Sequence, residues 1–111
     1  MYSEEEKLNM ILESIIKELS LCVTVNEIRL FGSQLDSPNS SSDIDLVIFC
    51  NNKTEYSSII TKLGILICKY KQFIHPVIYE KSISEIEENK FINNNIIKKS
   101  KIIFKTMQHF A

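Results

Sequence analysis

The stretch Arg29–Cys50, RLFGSQLDSPNSSSDIDLVIFC, decides how the rest of the chain is read. An apolar run stops at Gly32-Ser33, a loop of small polar residues follows, and Asp43 and Asp45 then stand at the mouth of a second apolar run. The 111-residue chain contains only two glycines, so one placed at this junction asks for a physical reason. Glycine lets backbone approach a ligand closely, and the exposed N–H groups of a turn bind anions. Ser33 adds a hydroxyl donor. Asp43 and Asp45 sit at i and i+2, which on a strand puts both carboxylates on one face with Cα atoms about 6–7 Å apart. Two like charges there call for a positive partner, and a hard divalent cation such as Mg²⁺ takes oxygen ligands of this kind. Taken singly, Gly-Ser reads as a strand exit and Asp-x-Asp as a solvated strand start. Together they bring an anion cradle and a cation site into one cleft, which a nucleoside triphosphate with Mg²⁺ requires.

Outward from this stretch the periodicities are clear. Ser3 followed by Glu4, Glu5 and Glu6 reads as a helix start, and Leu8, Ile11, Leu12, Ile15, Ile16 and Leu19 recur at helical spacing, predicting one amphipathic helix over Ser3–Leu19. VNEIRLFG alternates and reads as a strand ending at Gly32, with one short helical turn expected after Ser33. DIDLVIFC is apolar and β-branched beyond its third residue, as a central strand covered on both faces would be. Asn52 or Thr54 is positioned to cap a second helix, with Tyr56, Ile59, Ile60, Leu63, Ile67 and Tyr70 on its apolar side and Gly64 marking close packing. FIHPVIYE reads as a third strand, which Pro76 confines to an edge or a bulge. SISEIEENKFINNNIIKKS reads as helix in two pieces, and KIIFK as a short closing strand or helix tail. The order predicts an α+β fold, a small mixed sheet flanked by helices, in one domain over residues 1–111.

The bulk numbers exclude several function classes. A formal net charge of −1 argues against a general nucleic-acid binder, so no DNA binding is expected. Cys22, Cys50 and Cys68 are odd in number, widely spaced and set in apolar segments; they read as small buried hydrophobes in a reducing cytosol rather than as a zinc site. The acidic start MYSEEEKLNM lacks a cationic leader, and no apolar run approaches the roughly 20 residues that span a bilayer, so a cytoplasmic chain without a membrane role is expected. Arg29 and Lys53 read as solvated cations, Glu85, Glu87 and Glu88 as a solvated helix face, His109 as tail, and Lys98, Lys99 and Lys101 as cations at a helix end.

Strand, Gly32-Ser33, polar loop, Asp43-Ile44-Asp45, strand, preceded by one amphipathic helix, resembles the minimal nucleotidyltransferases of the DNA polymerase beta superfamily. That resemblance implies a polymerase beta-like fold and transfer of a nucleoside monophosphate from an NTP, ATP foremost, to a hydroxyl, with pyrophosphate leaving. It assigns Gly32 and Ser33 to the triphosphate and Asp43 and Asp45 to Mg²⁺. It also implies a partner, a small helical protein of the HEPN type, toward which such chains act as antitoxins. Members usually carry a third carboxylate on a later strand. Here His75 falls at that position, where a neutral imidazole can take a proton but is a poorer Mg²⁺ ligand. Glu80 is the nearest acid, of opposite strand parity, and needs a bulge at Pro76 to be re-aimed. Three alternatives stand: His75 replaces the acid, Glu80 does, or neither does. In the last case the chain is a degenerate nucleotidyltransferase fold that binds a helical partner without catalysis. The loop departs too, with Ser37 near the place where members often have a second glycine, and no lysine or arginine in DSPNSSS.

Overall fold

The first helix starts where the sequence predicts. The computed structural model describes residues 1–80, 85 and 88–106, and in it α1 runs Glu4–Leu19. Ser3 Oγ accepts from Glu6 N at 3.1 Å while the Glu6 carboxylate accepts from Ser3 N at 3.0 Å, a reciprocal cap that satisfies two orphan donors. These bonds hold the Glu6 carboxyl below its usual range. Leu8, Ile11, Leu12, Ile15 and Leu19 form the buried stripe of α1.

Strand β1 (Val25–Phe31) leads through a 3-10 turn (Gly32–Leu35) and a polar loop to β2 (Ile44–Cys50). Helix α2 (Tyr56–Tyr70) crosses to β3 (Ile74–Glu80). Helix α3 (Lys90–Asn95) and a second 3-10 turn (Ile97–Lys99) lead into β4 (Ser100–Lys105). The sheet order is β3-β2-β1-β4; β2 and β4 flank β1 antiparallel, and β3 lies parallel to β2. The expected α+β arrangement with a mixed sheet is therefore present, and KIIFK resolves as an edge strand. Of SISEIEENK, Glu85, Glu88, Asn89 and Lys90 are described; Glu85 and Glu88 are exposed and in helical backbone, and Lys90 is the first residue of α3, while Glu87 and His109 lie outside the described residues.

Strand β2 is covered on both faces, as its unbroken apolar run requires. Ile44, Leu46, Ile48 and Cys50 share one core with Ile28, Leu30 and Ile74 and with the helices, through Ile15, Leu19, Ile59 and Leu63. On the other face Val47 and Phe49 pack with Ile96, Ile97 and Tyr79, the rings of Phe49 and Tyr79 stacking at 5.8 Å. Truncating one of these fully buried side chains, Ile15 for example, costs about 2–5 kcal/mol.

Pro76 sits on an edge strand, and the hydrogen bonding explains how. Ile44 N donates to Phe73 O at 2.9 Å, so by alternation His75, Val77 and Tyr79 turn their backbone groups to β2 while Pro76 turns outward. The proline therefore removes no bond from the β2–β3 ladder, and it denies a donor to any chain that would add to that edge. The β2–β3 register runs from Ile44↔Ile74 to Cys50↔Glu80 without a shift, so the alternative of a bulge at Pro76 does not hold.

Four local expectations are corrected. Cys68 is exposed, unlike the buried Cys22 and Cys50. A Cβ at Gly64 would meet nothing within 4 Å, so this glycine marks no close packing. Neither Asn52 nor Thr54 caps α2, because Asn52 Oδ1 instead accepts from Thr54 N and Oγ1. Leu66 is buried on α2 where Ile60, 51% exposed, is not. Among the described residues no helix is long and apolar enough to cross a membrane.

Candidate functional site

The site gathers at one end of the sheet because the strand register lines up four residues there. Phe31 pairs with Asp45, Asp45 with His75, and Phe31 on its other side with Ser100. The carboxylate of Asp45 is thus at the centre of a row that crosses the sheet. At the end of β1 the chain turns at Gly32 with φ +79°, in the left-handed region that L side chains rarely adopt. A Cβ on Gly32 would lie 2.8 Å from Asp45 Oδ2. The glycine is needed, first of all, because backbone passes directly over this carboxylate. On the other side His75 Nδ1 stands 3.5 Å from Asp45 Oδ1. Phe73 stacks on the imidazole, with ring centroids 6.2 Å apart. The Asp45 and His75 side chains remain 39% and 58% exposed, so both are open to a ligand.

The other residues singled out from sequence take distinct places. Ser33 lies exposed in the 3-10 turn, and its hydroxyl has no protein partner among the described residues. Asp43 is exposed immediately before β2 rather than within it, and its carboxylate likewise has no partner among the described residues. Glu80 is opposite Cys50, at the far end of β3, about 17 Å along the strand from His75. Without a bulge to re-aim it, Glu80 does not reach the aspartates. Beside Asp45 and His75 a cleft of about 300 Å³ opens over the sheet, walled by Phe31, Val47, Val77, Tyr79 and Ile96.

Arg29 is not the solvated cation that its sequence context suggests. It is 9% exposed. Its guanidinium donates to Glu27 Oε2 at 2.9 Å, to Ser100 Oγ at 2.8 Å and to the Ile97 carbonyl at 3.4 Å. The charge is neutralised by Glu27, and the fork ties β1 to the turn that carries Ile96 and Ile97 over the sheet. Lys53 is exposed, as expected, but lies beyond Cys50 at the opposite end of β2. Lys98 and Lys99, by contrast, immediately precede Ser100, which pairs with Phe31, and the first 3-10 turn touches β4. Antiparallel pairing thus brings those lysines to the end of the sheet where Gly32 and Ser33 are, which only a long-range contact could reveal.

Sequence reasoning also passed over two glutamines. Gln34 and Gln72 are 1% and 7% exposed, and both donate to the backbone of the loop that ends in Asp43. A signal was available in hindsight: Gln34 follows Ser33 directly in a turn whose other polar residues are small.

Whether these residues suit a divalent cation is a question of donor chemistry. Asp43 and Asp45 supply hard carboxylate oxygens that face solvent, the kind Mg²⁺ takes in ones and twos alongside water and substrate phosphate. Among the described residues no three His, Cys, Asp or Glu side chains converge on one point. The set fits a cation completed by substrate oxygens and not a closed protein cage.

Comparison with solved structures gives the fold a context. The crystal structure of the toxin-antitoxin MntA-HepT includes a chain that matches with a TM-score of 0.57 at 16% identity, over 88% of this chain and 73% of that one. The crystal structure of a putative nucleotidyltransferase from Sulfolobus solfataricus matches with a TM-score of 0.52 at 16% identity, over 100% of this chain and 96% of that one. At such identities the likeness is one of fold. No curated protein matches the sequence. Residues 13–109 match the model of the family described as polymerase beta, nucleotidyltransferase, so the chain belongs to the polymerase beta nucleotidyltransferase family.

Proposed function

We propose that this chain, acting as one minimal domain in the cytoplasm, moves a nucleoside monophosphate from an NTP, ATP in the first instance, to a hydroxyl on a small helical partner of the HEPN type. The observation that carries the reading is the row across the sheet end: Asp45 held beneath Gly32 and beside His75, with Asp43 and Ser33 open to solvent. In the transfer the acceptor oxygen bonds to the α-phosphorus as the bond to the β-phosphate oxygen breaks, and pyrophosphate leaves with that electron pair. Backbone N–H groups of the turn at Gly32 and the Ser33 hydroxyl bind phosphate oxygens. Asp43 and Asp45 hold Mg²⁺, which supplies charge neutralisation of the phosphates when bound. The imidazole of His75, beside Asp45, takes the proton of the acceptor hydroxyl. The fold shared with one chain of a toxin-antitoxin pair supports a helical partner as the source of that hydroxyl and an antitoxin role.

The test uses ATP labelled at the α-phosphate with the candidate partner. Label should pass to the partner with release of pyrophosphate, and the joint Asp43→Asn, Asp45→Asn variant should lose about 10³-fold or more in rate, while His75→Ala loses about 10²-fold. Equal labelling by the double aspartate variant sinks the reading. A second reading, a binding module that neutralises the partner by occlusion, is favoured by the absence of a carboxylate at the His75 position and of any three-ligand cluster among the described residues. It expects the double variant to bind and neutralise as well as the wild type.

A further inference from the structure

The loop between the 3-10 turn and β2 is built around one carbonyl. Asn39 O accepts from Gln34 Nε2 at 2.8 Å, from Gln72 Nε2 at 3.1 Å and from Ser42 N at 3.1 Å. Gln34 continues along the loop, its Nε2 donating to Ser42 O at 3.1 Å and Asp43 O at 3.3 Å, while its Oε1 accepts from Asn39 N at 2.9 Å. Gln72 adds a bond to Ser42 O at 2.8 Å. Two primary amides are thus spent on the backbone of a surface loop, although burying an amide costs free energy unless its bonds are nearly all made. A loop that needed only to connect two strands would be served by its own turns, as the bond from Ser41 N to Asn39 Oδ1 shows at 2.8 Å.

What the glutamines add is placement. Gln34 belongs to the turn that carries Gly32 and Ser33, and Gln72 stands two residues before Ile74 on the way into the strand of His75. Both converge on the segment that delivers Asp43, the one aspartate of the pair outside a strand. We infer that Gln34 and Gln72 are positioning residues that hold Asp43 in register with Asp45 for a divalent cation, and that Gln34 couples this aspartate to the phosphate-binding turn. The inference rests on the cation reading given above.

Manganese is the probe, titrated against the whole chain by the loss of the free-ion electron spin resonance signal, so that no turnover is needed. Gln34→Met, which keeps length and removes every amide bond, should weaken Mn²⁺ binding about ten-fold or more. Gln72→Met should weaken it about three-fold, since Asn39 O retains two donors. Thr24→Val, which breaks a hydrogen bond at the opposite end of the sheet, should lower the thermal midpoint and leave Mn²⁺ affinity at the wild-type value. In the transfer reaction the metal concentration for half-maximal rate should rise in both glutamine variants, with the rate at saturating metal within a few-fold of wild type. Wild-type Mn²⁺ affinity in a folded Gln34→Met, or in Gln72→Met should the first variant fail to fold, overturns the inference alone. A wild type that binds no Mn²⁺ overturns the cation reading and this inference with it.

Discussion

The two ends of the sheet treat their polar groups differently. At the end away from the site, Thr24, Asn26, Asn51 and Glu55 satisfy one another. Glu55 Oε1 accepts from Thr24 N at 2.7 Å and Thr24 Oγ1 at 2.5 Å, and Asn26 Nδ2 donates to Asn51 Oδ1 at 2.8 Å. Burial there pushes the Cys50 thiol up to about 11, so it stays an inert, protonated packing group. At the other end, Ser33 and Asp43 present side chains without protein partners among the described residues, and Asp45 and His75 stand open. Folding alone accounts for the first set. The second set is the one that the proposed transfer would use. The contrast predicts that changes at the closed end alter stability and not ligand binding, and that changes at the open end do the reverse.

Arg29 offers the largest test, because it joins the sheet to the cover of the cleft. Arg29→Met leaves Glu27 buried without its cation, and Ser100 Oγ without one partner. Removing one side of a buried ion pair costs about 3–5 kcal/mol, read as a lowered urea midpoint. The double change Glu27→Leu, Arg29→Met should recover most of that loss, since it strands no charge. Failure of the recovery would mean that the bonds to Ser100 and Ile97, not the charge pair, carry the cost.

Gly32→Ala is where the contrast should break, since an open-end substitution here disturbs the fold as well. The positive φ alone costs an L residue about 1–2 kcal/mol, and the added Cβ would stand 2.8 Å from Asp45 Oδ2. Stability should fall by about 2 kcal/mol, and the displaced carboxylate should weaken Mn²⁺ binding as well. Asp45→Ala in the same background should restore part of the stability and none of the binding. If Gly32→Ala leaves both stability and Mn²⁺ affinity intact, the glycine is not there to clear Asp45.

Much of this was legible in the sequence, for local reasons. The capping residues of α1, its stripe of leucines and isoleucines, and the stop at Gly32 are all written in residues a few positions apart. Gly32-Ser33 and Asp43-Ile44-Asp45 stood out as a pattern, because turn chemistry and strand parity are short-range, whereas His75 was singled out by the family resemblance and its place opposite Asp45 comes from the strand register. What escaped depends on contacts between distant residues. Arg29 is buried with its guanidinium bonded to Ser100, 71 positions later and one strand over. Gln72 matters because the carbonyls of Asn39 and Ser42 are within its reach, 33 and 30 positions earlier. The exposed Cys68 shows the limit of composition, since an apolar sequence context does not say which face of α2 a residue takes.

The smallest effect belongs to the closed end. The hydroxyl of Thr24, and then its N–H, hold the Glu55 carboxyl below its usual range. A carboxyl depressed by folding contributes stability above its unfolded value, about 4.3, and loses it as pH falls through the lower folded value. Glu55 is little buried, so solvent screening limits the contribution to at most about 1 kcal/mol. Glu55→Gln should therefore be less stable than wild type at pH 6, and the gap between their urea midpoints should close as the pH falls below about 4. Glu6, depressed by its own cap, titrates in both proteins and cancels from the difference. Mn²⁺ affinity at pH 7 should be unchanged by the substitution, as a closed end requires. A gap that persists unaltered to pH 3 would show that Glu55 acts through shape and hydrogen bonding and not through its charge.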